Sequence, residues 1–140
     1  DATSNHTSML LRFELGDIVF LSAADSCPSE WDEVPEIFFK NVNVLKLPHH
    51  GQIDSISESF MKNMPLEYII TTSASDRRYH SANQAVYQKL AAIFPAEHPP
   101  HFLFSDEREY PPYFSQPEGF QAIKLVMDSG MVIPEFIRIQ

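Results

Sequence analysis

The segment from Val42 to Gly51 constrains the fold of this 140-residue chain more than any other. It opens with an aliphatic run of the kind found in strands buried on at least one face. Pro48 cannot donate to a strand ladder and ends the run, and the glycine allows a tight turn away. Between them stand two adjacent histidines, His49 and His50. The segment therefore predicts a strand that delivers two imidazoles to an edge of a sheet.

The histidine pair supports two interpretations. Neutral imidazole is the commonest protein ligand for zinc, so a pair at a strand end is a candidate metal corner. Alternatively, the pair belongs to a polar loop in which both side chains only form hydrogen bonds or face solvent. The pair by itself leaves both interpretations open.

The order of strand and helix signals favours an α/β layered domain. Strands are predicted at 9–15, 18–21, 42–47, 66–72, 101–104, 119–127 and 131–139, with tight turns at 16–17 and 128–130. Helices are predicted from 29 to 39, where Pro35 makes the helix irregular, and after Ser55 and Ser81. Each of these serines has a Glu or Gln three residues later, which is the spacing of a capping box.

Composition limits the class of protein and its partners. With 44% apolar residues the chain can bury a core, and we expect 1–140 to form one domain or half of one. The apolar runs are far shorter than the roughly 20 residues of a membrane span, so we expect no membrane contact. A net charge of −9 disfavours broad electrostatic binding of nucleic acid. The single Cys27 fits a reducing compartment and predicts a cytoplasmic location.

Polar side chains follow three of the predicted strands. Asp25 comes after the first hairpin, His49 and His50 after the next strand, and His80 in the loop after the third. Because ligands gather where strands end at one edge of layered α/β folds, these residues could converge. As alternatives, Asp25 is a helix cap or loop carboxylate, and His80 is a solvated loop residue or a cap.

Two arginines, Arg77 and Arg78, precede His80 directly in that loop. Such a pair is often only a solvated surface. Beside a metal, however, guanidinium groups could hold an anionic substrate.

The motifs at these strand ends resemble the second half of a metallo-β-lactamase-fold hydrolase, in particular the lactamase-like domain of bacterial competence-type DNA-uptake channel proteins. Residues 45–51, Leu-Lys-Leu-Pro-His-His-Gly, match a Leu-Lys-x-x-His-His-Gly motif of that group. Residues 23–25, Ala-Ala-Asp, match its Thr-Gly-Asp-like turn, although Ala24 stands where the family has glycine. Residues 78–80 are similar to its Tyr-rich loop that ends in histidine. The resemblance covers roughly residues 5–105.

The resemblance implies a fold and a site. The chain would be the C-terminal half of a four-layered αββα sandwich, with two zinc ions in the complete site. Asp25 would be the metal-bridging and catalytic carboxylate, and His49 a terminal metal ligand. His50 would lie beside the metal or the substrate, and His80 would donate a catalytic hydrogen bond. Arg77 and Arg78 would contact substrate.

The family's His-rich ligand motif, which belongs to the first half of the fold, is missing from these 140 residues. The chain begins at Asp1, so we expect a fragment of a longer protein whose partner is the missing N-terminal half. The resemblance then implies the C-terminal portion of a metal-dependent hydrolase acting on phosphodiesters. We expect this portion alone to bind zinc weakly or not at all, and to form a homodimer or stay bound to a partner fragment through an exposed apolar sheet face. The alternative is a non-catalytic, degenerate lactamase-fold module that serves protein interaction.

Overall fold

The computed structural model describes residues 8–73, 80–106 and 117–139. Its main sheet has five strands in the order β1 (Leu11–Leu15), β2 (Ile18–Ser22), β3 (Val44–Lys46), β4 (Tyr68–Thr71) and β5 (His101–Phe104). β1 runs antiparallel to β2, and β2 to β5 are parallel to one another. Strands β6 (Ala122–Asp128) and β7 (Met131–Ile137) form a separate antiparallel hairpin. The mixed sheet with helical connections confirms the predicted α/β class.

The helical connections are short. α1 spans Glu58–Met61 and α2 spans Gln84–Ile93, while 3-10 turns span Pro28–Glu33 and Glu36–Phe38. The helix predicted from 29 to 39 is therefore two separate turns. The residue before a proline avoids the helical region, and Val34, which precedes Pro35, is extended with φ −89° and ψ 134°.

Both predicted capping boxes are wrong. α2 begins two residues later than Ser81 implies, because the Asn83 side chain accepts a hydrogen bond from the Ala85 amide at 3.0 Å. Asparagine and serine are comparable N-cap residues, so cap preference alone does not select position 83 over position 81. Ser57 precedes α1 without a side-chain cap, and the buried Ser55 hydroxyl has no hydrogen-bond partner among the described residues.

One face of the main sheet carries the larger core. Alternate strand residues such as Leu21, Leu45 and Ile69 are fully buried on this face, beneath the helical connections. Trp31 is buried with them, and its indole N–H donates to the Ser26 hydroxyl at 3.1 Å. The first 3-10 turn is thereby fixed to the end of β2.

The β6–β7 hairpin covers part of the opposite face. Ile18 and Val44 are buried with Val132 of the hairpin, and the Tyr68 hydroxyl donates to the carbonyl of that valine at 3.0 Å. On this same face, the outer strand β1 remains uncovered in the part of the chain that the structure describes, and Phe13 is 55% exposed. The two faces of the sheet are therefore shielded very unequally.

Candidate functional site

The loops after β2, β3 and β4 meet at one border of the sheet. These strands run in the same direction and in register, with Ser22 beside Lys46 and Lys46 beside Ile70. Their carboxyl ends therefore lie side by side. We call this border the carboxyl-end edge, formed by residues 23–26, 47–52, 72–73 and 80–83.

The turn that presents Asp25 is fixed through the carbonyl of Ala24. This carbonyl accepts the Lys46 ammonium at 3.0 Å and the His49 amide at 3.0 Å. The Ser26 hydroxyl also donates to the Ala23 carbonyl at 2.7 Å. β3 and its following loop thus determine where the carboxylate of Asp25 sits.

His50 is oriented by a backbone group of the neighbouring strand end. Its Nδ1 lies 2.7 Å from the carbonyl oxygen of Thr72, and because a carbonyl only accepts, Nδ1 must carry the proton. Nε2 then faces Asp25, 3.4 Å from Oδ1. In the neutral ring this nitrogen offers its lone pair beside a carboxylate, and both groups are ligand types that zinc accepts. The two side chains are 46% and 41% exposed, so an ion could reach them from solvent.

His49 turns in a different direction from its neighbour. Its Nδ1 lies 3.0 and 3.1 Å from the two carboxylate oxygens of Asp54. The structure therefore brings His50 to Asp25, and His49 to Asp54. The family resemblance assigns the terminal ligand to His49, and that role stays a prediction.

The segment that carries His80 reaches the same edge. The Ala82 amide donates to the His50 carbonyl at 2.8 Å, and the Asn83 amide to the Gly51 carbonyl at 2.9 Å. His80 itself is exposed two residues earlier. Arg77 and Arg78 lie outside the described residues.

Backbone strain is concentrated at this edge. Among the described residues, seven non-glycine positions have positive φ, and five of them lie in the carboxyl-end edge: Ala24 (45°), His49 (46°), His50 (54°), His80 (59°) and Ala82 (47°). The left-handed conformation costs an L-residue roughly 1 kcal/mol, and such residues cluster at active sites and ligand clamps. The strain supports a functional interpretation of this edge over a plain loop.

Burial and nearby charges shift the pKa values of two side chains close to the carboxyl-end edge, Lys46 and Cys27. Burial lowers the pKa of Lys46, and the nearby negative charge of Asp25 partly offsets that effect. Burial also raises the pKa of the Cys27 thiol, with a further contribution from Asp54. The lysine therefore supplies a partly desolvated cation next to the aspartate turn.

The described part of the edge provides an incomplete set of metal ligands. Within residues 8–73, 80–106 and 117–139, no group of three or more His, Cys, Asp or Glu side chains could hold a metal ion. Asp25 and His50 together provide two groups of the right chemistry.

Two contributors to this edge were missed in the sequence. Thr72 orients His50 through its main-chain carbonyl, which carries no sequence signal beyond its position after a strand. Asp54 lies five residues after His49 and pairs with it. An acidic residue so close to a histidine pair could have been considered as its partner.

The chain is similar in sequence to part of a bacterial protein. The chain is 30% identical over 90 residues to ComE operon protein 3 of Bacillus subtilis (strain 168). The match covers 64% of this chain but only 12% of that protein. No protein-family model matches the chain, and no solved structure matches it. Among the described residues, no helix has the length and apolar content needed to cross a membrane.

Proposed function

We propose that this chain is the C-terminal part of a metal-dependent hydrolase of the metallo-β-lactamase superfamily, acting on phosphodiesters. The observation that carries the proposal is the pairing of Asp25 with His50, whose Nδ1 is anchored on the Thr72 carbonyl. Metal-binding histidines commonly have their second ring nitrogen fixed in this way, because the hydrogen bond sets the tautomer and the ring direction.

The layer order is consistent with half of an αββα sandwich. Helical connections cover one face of the five-stranded sheet, and the β6–β7 hairpin packs on the other. In the proposal, a missing N-terminal half extends the second layer and supplies the remaining metal ligands. The resemblance of residues 45–51 and the similarity to ComE operon protein 3 support this assignment.

The side chains at the edge suit the proposed chemistry. Two zinc ions in a complete site would lower the pKa of bound water and stabilise negative charge on the attacked group. The Asp25 carboxylate would hold the metal, and His50 would supply a nitrogen ligand next to it. His80 would donate a hydrogen bond to developing charge, and Arg77 and Arg78 would hold an anionic substrate. We place this activity in the cytoplasm, in keeping with the single Cys27.

A second candidate function is a non-catalytic interaction module that kept the scaffold. The net charge of −9 favours this alternative, because it opposes the approach of a polyanionic substrate.

The test uses the full-length protein that the proposal implies, with this segment joined to an N-terminal half that carries the remaining ligands. Asp25→Ala should abolish phosphodiester hydrolysis and reduce bound zinc. If the observed pairing sets the ligand, His50→Ala should lose metal as well. If the family assignment holds, His49→Ala should be the variant that loses it.

Two further variants complete the series. His80→Ala should slow turnover while zinc remains bound. His98→Ala, an exposed histidine in the loop after α2, is the matched control and should keep both zinc and rate. Wild-type hydrolysis in Asp25→Ala and in both edge histidine variants, or a wild-type protein without metal, would contradict the enzyme and favour the interaction module.

A further inference from the structure

We propose that β1 forms an antiparallel ladder with β1 of a second copy of this chain, centred on Phe13. This contact lies along β1, at the lateral border of the sheet, and does not depend on the proposed hydrolase activity. The proposed assembly is a homodimer with one strand register and one pattern of charge pairs.

β1 is positioned to accept another strand. It stands at the end of the strand order, and within the described ranges β2 is its only strand neighbour. Leu11, Phe13 and Leu15 project from the same face and are 42%, 55% and 58% exposed. An exposed apolar edge strand is a ready template for pairing with another chain.

Hydrogen bonds in the next strand show which groups of β1 face outward. Val19, which lies opposite Glu14, directs both backbone groups away from β1. Its amide donates to the Asn43 side chain at 2.7 Å, and its carbonyl accepts the Asn43 amide at 3.1 Å. Glu14 and Val19 are therefore a non-hydrogen-bonded pair, and the backbone groups of Glu14 point to the open edge. Antiparallel ladders alternate, so those of Arg12 point there too.

The sequence of β1 selects one register for self-pairing. A new antiparallel strand must align outward-facing residues with outward-facing residues, which allows Arg12 opposite Arg12, Glu14 opposite Glu14, or Arg12 opposite Glu14. The first two place like charges directly opposite each other, which destabilises the pairing. The third centres the two-fold axis on Phe13 and forms the charge pair twice. Leu11 then lies opposite Leu15 of the second copy, so the strand Leu-Arg-Phe-Glu-Leu complements itself.

The charged groups are already arranged for this contact. The Arg12 guanidinium is fixed by the carbonyls of Phe38 at 2.9 Å and Lys40 at 2.7 Å, and it also pairs with Glu14 at 2.6 Å. The Glu14 side chain is 61% exposed, so the arginine of a second copy could share it. Because both arginines are fixed beforehand, little side-chain freedom is lost on pairing.

Sedimentation velocity over a concentration series tests the association and its charges. The wild-type chain should show a reversible monomer–dimer equilibrium. Glu14→Lys places lysine opposite arginine, and Arg12→Glu places glutamate opposite glutamate. Each should weaken the dimer about tenfold. An equimolar mixture of the two variants should recover association as a heterodimer, because each variant then faces opposite charges.

Cross-linking tests the register without replacing Arg12, a change that also removes its hydrogen bonds to the carbonyls of Phe38 and Lys40. In a Cys27→Ser background, Phe13→Cys should form a disulfide-linked dimer under mild oxidation, since the two positions face each other at the axis. Leu15→Cys is the matched control and should not cross-link. Its two copies would be offset by four residues, roughly 13 Å along the strand.

The proposal is overturned if the chain stays monomeric throughout the concentration series, because β1 then does not pair with a second copy. A dimer unaffected by both charge variants, or equal cross-linking at positions 13 and 15, also overturns it, because association would then use another surface or register.

Discussion

The carboxyl-end edge and the β1 edge of the same sheet differ in backbone strain and in the exposure of apolar side chains. At the carboxyl-end edge the backbone adopts strained conformations at residues that carry side chains, held by buried neighbours and by backbone hydrogen bonds. At β1 the backbone is regular, and its apolar side chains are left in solvent. Strain persists only where the surroundings over-determine it. A substitution that adds a side-chain atom should therefore cost more at the first border than at the second.

Gly51→Ala should give the largest effect at the carboxyl-end edge. Gly51 has φ +69°, and an added Cβ would clash with the Tyr87 hydroxyl and lie 3.1 Å from Thr71 Cγ2. The tyrosine is buried and its hydroxyl is hydrogen-bonded to the threonine at 2.6 Å, so it cannot easily move. Strain and overpacking together should lower the free energy of unfolding by about 3 kcal/mol. Chemical denaturation measures this change.

Gly16→Ala is the matched control in the β1–β2 turn. Gly16 has a similar φ of +59°, but a Cβ there meets no atom within 4 Å. Its cost should be only the backbone strain, about 1 kcal/mol. Equal losses for the two variants would mean that the packing around Gly51 does not distinguish the borders.

Ala24→Gly should reverse the sign of the effect at the carboxyl-end edge. Ala24 has φ 45°, which glycine adopts without strain. Relief of that strain exceeds the extra chain entropy of glycine in the unfolded state, so we expect stabilisation of about 0.5 kcal/mol.

The same chemical change in α2 provides the contrast. Ala92→Gly, at an exposed helical position, should destabilise by about 0.5 kcal/mol. Thermal melts of the two variants should shift in opposite directions, and a shift of both downward would argue against strain at Ala24.

Leu15→Thr should give the smallest effect. The side chain is 58% exposed, and threonine suits a strand, so the free energy of unfolding should change by less than about 0.5 kcal/mol. Denaturation at a concentration where the chain is monomeric measures this. A loss comparable to that of Gly51→Ala would mean that Leu15 packs more tightly than its exposure indicates.

The strands and their order along the chain could be predicted because apolar patterns and turn residues are local. The Gly16-Asp17 turn and the strand before His49 follow directly from sequence, and β1 to β5 all lie within or close to the predicted ranges. The start of α2 was harder to predict from sequence. Ser81 and Asn83 are both acceptable N-caps, and only packing decides between them.

The directions of the two histidines could not be derived from sequence. His49 and His50 are adjacent and both have positive φ, but one faces Asp54 and the other Thr72 and Asp25. That difference depends on where the neighbouring strand end places a carbonyl, which no residue type encodes. The part of the predicted site on Arg77 and Arg78 lies outside the described residues and stays a prediction.

The hydrogen bonds around Gly51 also connect the histidine loop directly to the start of α2. The carbonyls of His50 and Gly51 are held by the amides of Ala82 and Asn83, and this asparagine also caps α2. The loop therefore cannot swing away from the sheet without releasing the residue that begins the helix. We therefore expect opening of the histidine loop to promote fraying of the first turn of α2, and a ligand that holds the loop to stabilise that turn.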